Sequence, residues 1–379
     1  MKKTKQVSYI TGYDKSILIT YALLSLAGLL MMLDICSVYS SLHYFYRHLG
    51  TAVISFVVVL ALLKFPNLEK LKILNLPFVA GTIFLLLLVL LIGVSVKGAT
   101  RQLSLGFVSF QPSFLARIAL VFYFAKELSE RLTDLRTAKF VMFLTRFRVM
   151  LGIAGATFLL IILERHLSTL IIGGATLLAM LIYAGLKKRI IIAIVLVAIL
   201  GGIGILKFGA TYRSERIQIY RKYSLFIKDN TIKIADNKDY QIKESLTALH
   251  SGGLMGTGPA RGRAKHFYLP EARTDYIFTI IGEEFGFLGA LIIFGLHCFL
   301  FFRAMKVASE QENEYYKYLC AGLAFNIFLN ALVNTGVAMS ILPSTGNTLP
   351  FISYSRTALL TDSASIGIIL NISAKRKFV

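Results

Sequence analysis

Polar residues punctuate long apolar runs in this chain. They do not alternate with them. A bilayer core of roughly 30 Å takes about 20 apolar residues as helix. Ten segments approach that pattern: 17–34, 48–65, 74–95, 111–128, 148–164, 167–185, 189–206, 276–302, 316–340 and 349–373. The fifth and sixth are divided only by Glu164-Arg165-His166. Between the seventh and eighth, residues 207–275 are long and polar. Within this stretch Ile242, Leu246 and Leu249 recur at helical spacing, and Ser251-Gly252-Gly253 ends that short helix. Residues 228–239 read as a polar turn or insert. No 20–50-residue repeat is visible. The pattern predicts an all-α polytopic membrane protein, a single domain over 1–379 with about ten transmembrane helices. Lys2, Lys3, Lys5 and Lys15 before the first run resemble the start of a signal peptide, but the further runs favour a retained first span.

Composition agrees. Of 379 residues, 56% are apolar and 16% charged, against about 25% charged in soluble proteins. That argues against a soluble enzyme and against a disordered chain. A net charge of +21 would suit a nucleic-acid binder, but its distribution follows topology. With the N-terminus in the cytoplasm, the inner segments hold 22 Lys and Arg, and the short outer loops and helix ends hold 6. This bias predicts both termini inside and an even number of spans. The other 13 fall in 207–275, beside 7 acids, making it a net-positive outer loop too long to obey the charge rule. With no Trp, any interfacial aromatic belt must use Tyr and Phe. Cys36, Cys298 and Cys320 lie in or beside apolar runs without CxxC spacing, so neither a disulfide framework nor a zinc site is indicated.

The candidate chemistry gathers at the end of the long loop. Gly252, Gly253, Gly256 and Gly258 allow a tight backbone path, and Arg261, Arg263, Lys265 and Arg273 follow. Glycines and cations at a membrane face suit a phosphate-bearing lipid head group, or simple attraction to anionic lipid. Asp275 stands at the head of the eighth run, where it either caps a helix or serves as a base. Glu283 and Glu284 lie deeper, in apolar surroundings where acids are costly. On a continuous helix Glu283 is about 80° and Glu284 about 180° from Asp275. That makes Glu283 a cavity candidate and Glu284 a structural acid in search of a partner.

Three ordered stretches carry a family resemblance: KGATRQLSLGFVSFQPSFLARIAL at 97–120, YLPEARTDYIFTIIGEEFGFLG at 268–289 and NTGVAMSILPSTGNTLPFISYS at 334–355. With the YQ…SL.A…GG…G.G run at 240–258, the chain resembles the SEDS family (shape, elongation, division and sporulation), which includes FtsW, RodA and SpoVE. The resemblance implies a peptidoglycan glycosyltransferase of the bacterial cytoplasmic membrane. Such a protein polymerises lipid II on the outer face beside a class B penicillin-binding protein, with no nucleic-acid partner. The family's essential acid falls on Asp275, implying a general base for the acceptor hydroxyl. Candidates for substrate contact are Arg101, Arg117, Arg213, Gln241, Arg261, Arg263, Lys265, Glu271, Arg273, Glu283, Asn334 and Ser353. No metal-ligand cluster announces itself, and a divalent cation such as magnesium or manganese is the one cofactor considered. A lipid II flippase and a non-catalytic scaffold are the alternatives.

The chain departs from the family pattern in places. Phe114 stands where the family has Glu, which leaves Arg117 to snorkel to the interface or to pair with another acid such as Asp362. Gln102 replaces Trp, and Ser355-Arg356-Thr357-Ala358 replaces GGSS. His166 reads as a polar hinge or a substrate contact.

Overall fold

The computed structural model describes residues 12–38, 41–65, 68, 70–96, 99–105, 108–207, 211–224, 226–227, 229, 231–232, 234 and 239–375. Its helices are α1 (Lys15–Val38), α2 (His43–Leu63), α3 (Lys70–Ile92), α4 (Pro112–Glu130), α5 (Leu132–Thr137), α6 (Phe140–Arg146), α7 (Arg148–Leu163), α8 (Leu167–Tyr183), α9 (Lys188–Lys207), α10 (Thr211–Tyr223), α11 (Tyr240–Gly252), α12 (Ile277–Ser309), α13 (Glu314–Ala338) and α14 (Arg356–Ser373). A distorted π-helical turn spans Ala264–Tyr268. Each of the ten apolar runs falls on a helix: α1 to α4, α7 to α9 and α12 to α14. Among the described residues, α1, α2, α3, α12 and α13 are each long and apolar enough to cross a membrane. A further apolar pair, α6 and α7, is bent by 75°.

The architecture is not purely helical. A stretch read from sequence as the end of one span and a loop holds an antiparallel sheet in the order β1 (Val94–Val96), β2 (Ala99–Leu105), β3 (Val108–Phe110). Ser95 pairs with Thr100, and Ser104 with Ser109. Strands this short are overshadowed by the flanking apolar runs.

α13 lies at the centre, packed on α4, α8, α12 and α14. The outer helices invert the soluble pattern: Val53, Ile54 and Val57 on α2 and Val197 and Leu200 on α9 are all more than half exposed. Exposed apolar surface of this extent is what a bilayer would cover. Polar side chains inside the bundle satisfy backbone. Asn75 donates to the Phe122 carbonyl at 3.0 Å, and Asn371 donates to the carbonyls of Leu62, Leu63 and Phe65 at 2.8–3.0 Å. Near the chain ends, the Asp14 amide donates to Ser373 Oγ at 2.9 Å, and Arg303 Nε donates to the Asp14 carboxylate at 2.8 Å. The start of α1 and the ends of α12 and α14 therefore share one end of the bundle.

Helix starts follow local chemistry. Asn313 caps α13 by accepting from the amides of Tyr315 and Tyr316. Ser355 caps α14 by accepting from the Ala358 amide. The serine of the divergent SRTA stretch thus takes a defined role, while Arg356 reaches Ser109 Oγ at 3.2 Å and Thr357 Oγ1 accepts from the Gln111 amide.

Candidate active site

Asp275 sits in a tight turn ahead of α12. Glu271, with φ of +58°, turns its carbonyl inward to accept from the amides of Thr274, Asp275 and Tyr276 at 3.1–3.2 Å. Its carboxylate accepts from Thr274 Oγ1 at 2.8 Å. Glu271 is thus built into the turn that presents Asp275. Tyr276 occupies the N-cap position of α12 and makes no side-chain cap bond. Asp275 precedes that position and stays half-buried.

The next three carbonyls are held from a distant part of the chain. The Tyr354 amide donates to Arg273 O at 2.9 Å, Ser353 Oγ to Thr274 O at 2.6 Å, and Asn334 Nδ2 to Asp275 O at 2.9 Å. Asn334 Nδ2 also donates to Asn347 O at 2.6 Å, and Ser353 Oγ accepts from the Leu349 amide at 2.8 Å. Asn334 and Ser353 are almost fully buried. Two of the motifs found in sequence therefore meet here, and these two side chains grip backbone.

A loop lies opposite the carboxylate. Gly346 has φ of +71°, and a Cβ on it would lie 3.4 Å from Asp275 Oδ2. The same loop is held by Arg216 Nη1 on Ser344 O and Tyr220 Oη on Ile341 O, each at 3.0 Å, and by Ser168 Oγ on Thr345 O. Arg216 and Tyr220 escaped the sequence reading, although their spacing of four on α10 was a usable sign of one helix face. Arg213 lies on the same helix, but its side chain is outside the described residues. Gln241, at the start of α11, donates to the Pro270 carbonyl at 3.2 Å. It braces the Asp275 turn from behind.

The glycines and acids have a different use from the one their sequence suggests. α12 breaks at Gly286, with φ of +68°. The freed carbonyls of Glu283 and Glu284 accept from the Thr257 and Gly258 amides at 2.9 and 3.0 Å. The amides of Phe287 and Leu288 donate to Gly253 O and Leu254 O. A Cβ on Gly256 would collide with the Glu284 carbonyl, and one on Gly252 with that of Gly282. These glycines bring backbone against a broken helix; the phosphate-cradle expectation gives way to this packing.

The carboxylate of Glu283 accepts from the Arg263 and Ala264 amides at 2.8 and 3.0 Å. That of Glu284 accepts from Ala260 N, Gly262 N and Lys265 Nζ at 3.0, 3.1 and 2.6 Å. Lys265 also bonds Asp34 at 2.5 Å, and its side chain is 1% exposed. Burial disfavours its ammonium, but Asp34 and Glu284 outweigh that and hold it above the ordinary lysine range. Glu284 is thus the structural acid with its partner found. Glu283 and Lys265 are internal ties, because the break at Gly286 folds the loop over them. Arg261 and Arg263 remain exposed, Arg263 over the Tyr268 ring at 4.3 Å. Arg273 stacks over Tyr44 at 4.0 Å.

A second polar cluster surrounds the α7–α8 junction. Arg101 donates to the Arg165 carbonyl at 2.7 Å, and His166 Nδ1 meets Gln111 Nε2 at 3.1 Å and Ser113 Oγ at 2.9 Å. Burial, with the Arg101 and Arg117 charges nearby, pushes the His166 imidazole well below its usual range. His166 is thus a buried side chain tied to Gln111 and Ser113. Arg117 does not snorkel: it is 2% exposed, with its guanidinium 5.2 Å from the Phe114 ring. The aromatic face supplies a cation–π contact where the family's acid would stand. Asp362 is equally buried and acts on Arg117 electrostatically. Among the described residues both its carboxylate oxygens lack a hydrogen-bond partner, as do Arg117 Nε and Nη1. Among the described residues, no group of three or more His, Cys, Asp or Glu could hold a metal ion.

Comparison with known proteins places this arrangement. The sequence is 32% identical over 376 residues to the probable peptidoglycan glycosyltransferase FtsW of Geobacter sp. (strain M18), covering 97% of this chain and 98% of that protein. It is 31% identical over 297 residues to the stage V sporulation protein E of Bacillus subtilis (strain 168), covering 78% and 77%. The fold matches a chain of a solved peptidoglycan synthase complex with a TM-score of 0.78 at 22% identity, covering 96% and 98%. It matches the rod shape determining protein RodA of Thermus thermophilus with a TM-score of 0.67 at 20% identity, covering 96% and 97%. A family model described as cell cycle protein, for FtsW, RodA and SpoVE, matches residues 14–378. With that model spanning nearly the whole chain, the protein belongs to the FtsW/RodA/SpoVE family of polytopic membrane proteins.

Proposed function

We propose that this protein is a peptidoglycan glycosyltransferase acting in cell division or cell shape, and that it polymerises lipid II with Asp275 as general base. The observation that carries this reading is the grip on the carbonyls of Arg273, Thr274 and Asp275 by Tyr354, Ser353 and Asn334. It fixes the backbone of a half-buried carboxylate opposite the Gly346 loop, and preorganisation of this kind is what general-base catalysis needs. In the proposed step, Asp275 takes the proton of the acceptor sugar's C4 hydroxyl. That oxygen bonds to the anomeric carbon of the donor, whose bond to undecaprenyl pyrophosphate breaks with inversion. In this reading the exposed Arg261 and Arg263, with Arg273, would meet the departing pyrophosphate. If a divalent cation takes part, Asp275 would be the one carboxylate here to hold it, together with substrate phosphates, and the ion would offset the charge of the leaving group; no protein ligand cluster stands among the described residues.

In this reading the single domain lies in the bacterial cytoplasmic membrane. All ten apolar helices cross it, both termini are inside, and 207–275 lies on the outer face beside a class B penicillin-binding protein. The shared end of α1, α12 and α14 supports termini on one side. The test is polymerisation of labelled lipid II by purified protein with its partner. Since a general base contributes about 10²–10⁴-fold, Asp275→Asn is expected to lose at least a hundredfold in rate while keeping its fold. Full activity would refute the base role, and lipid II translocation without Asp275 would point to a transporter.

A further inference from the structure

A cavity of about 680 Å³ lies at the other end of the bundle, lined by Lys70, Lys72, Ile73, Lys126, Glu130, Asn313 and Tyr315. Its size suits a small-molecule site. Lys72 pairs with Glu130 at 3.2 Å. Lys70 and Lys126 make no ion pair among the described residues, so the described lining carries an excess of two positive charges. Tyr315 lines it, with its hydroxyl 3.4 Å from Asn75 Oδ1, and Lys72 Nζ lies 5.8 Å from the centroid of the Tyr315 ring. One wall is apolar and open: Ile73 is 79% exposed, and Leu74 and Leu76 follow it along the outer surface of α3. The cavity therefore joins a cationic recess to a lipid-facing stripe.

Distance separates it from the candidate active site. Tyr315 and Asn334 lie near opposite ends of α13. Nineteen residues of rise give about 30 Å, the thickness of a hydrocarbon core. With Asp275 on the outer face, this recess opens at the inner one.

We infer that this recess is a binding site for the phosphodiester head group of an anionic lipid of the inner leaflet, with the acyl chains lying along Ile73 and Leu76. The two ammoniums of Lys70 and Lys126, unpaired among the described residues, select the negative phosphate. The exposed stripe favours a lipid over free phosphate, which has no use for apolar surface.

The test is native mass spectrometry of the full chain in detergent, titrated with phosphatidylglycerol, phosphatidylcholine of matched chains, or inorganic phosphate. Lys70→Gln/Lys126→Gln is compared with Lys139→Gln/Lys188→Gln, which removes the same charge elsewhere. Phosphatidylglycerol is expected to bind wild type and the control alike, and the Lys70/Lys126 variant about tenfold more weakly with unchanged melting. Phosphatidylcholine is expected to bind all three weakly. Equal binding of phosphatidylglycerol by the Lys70/Lys126 variant and wild type would overturn the site. Displacement of phosphatidylglycerol by equimolar inorganic phosphate would overturn the lipid as its occupant.

Discussion

Lys265 and Ser353 show how a candidate residue changes meaning once its neighbours are known. A lysine in a basic loop invites a phosphate, yet Lys265 is buried between Asp34 and Glu284. Removing one partner from a buried charge network costs about 3–5 kcal/mol. Lys265→Met is therefore expected to lower the melting temperature sharply, and adding Asp34→Asn and Glu284→Gln to restore much of it. Loss of activity with an unchanged melt would mean that Lys265 serves the substrate. Ser353 donates to the Thr274 carbonyl next to Asp275. Loss of that bond loosens the turn, and small misplacements cost rate more than affinity. Ser353→Ala should lower kcat about tenfold with little change in KM; the converse result, KM raised at constant kcat, would make it a substrate contact.

At the scale of elements, the central feature is the broken helix α12. A break inside an apolar bundle strands backbone groups that hydrocarbon cannot satisfy, and the 252–258 segment satisfies them. Gly256 has φ of +87° and no room for a Cβ against the Glu284 carbonyl. Gly256→Ala is expected to destabilise by more than about 2 kcal/mol, read as a fall in melting temperature. The exposed Arg261→Gln should stay within about 0.5 kcal/mol. An indifferent Gly256→Ala would return these glycines to a substrate-cradling role. Their true use was not legible in sequence, because glycine spacing alone does not say whether the close neighbour is a ligand or another part of the chain. The cap of α14 by Ser355 is the reverse case: a local signal, partly hidden by the family's different turn.

For the molecule as a whole, the proposed topology with both termini inside rests on the charge bias and the shared end of the first and last helices. A single cysteine placed within 228–239, with Cys36, Cys298 and Cys320 changed to Ser, should react with a membrane-impermeant maleimide added outside intact cells. Labelling only after lysis would invert the orientation and with it the proposed place of catalysis.

The sequence by itself determined where the apolar helices run, that the chain belongs in a bilayer, and which acid to suspect. These follow from composition and from motifs read in order, each contained in a short window. Tertiary structure alone decided the rest. The sheet of β1, β2 and β3 depends on pairing between strands too short to announce themselves. The grip of residues 334–354 on 273–275, the pairing of Lys265 with residue 34, and the role of Arg216 all join positions distant in sequence. Such contacts depend on where helices pack, and a linear pattern does not carry that geometry.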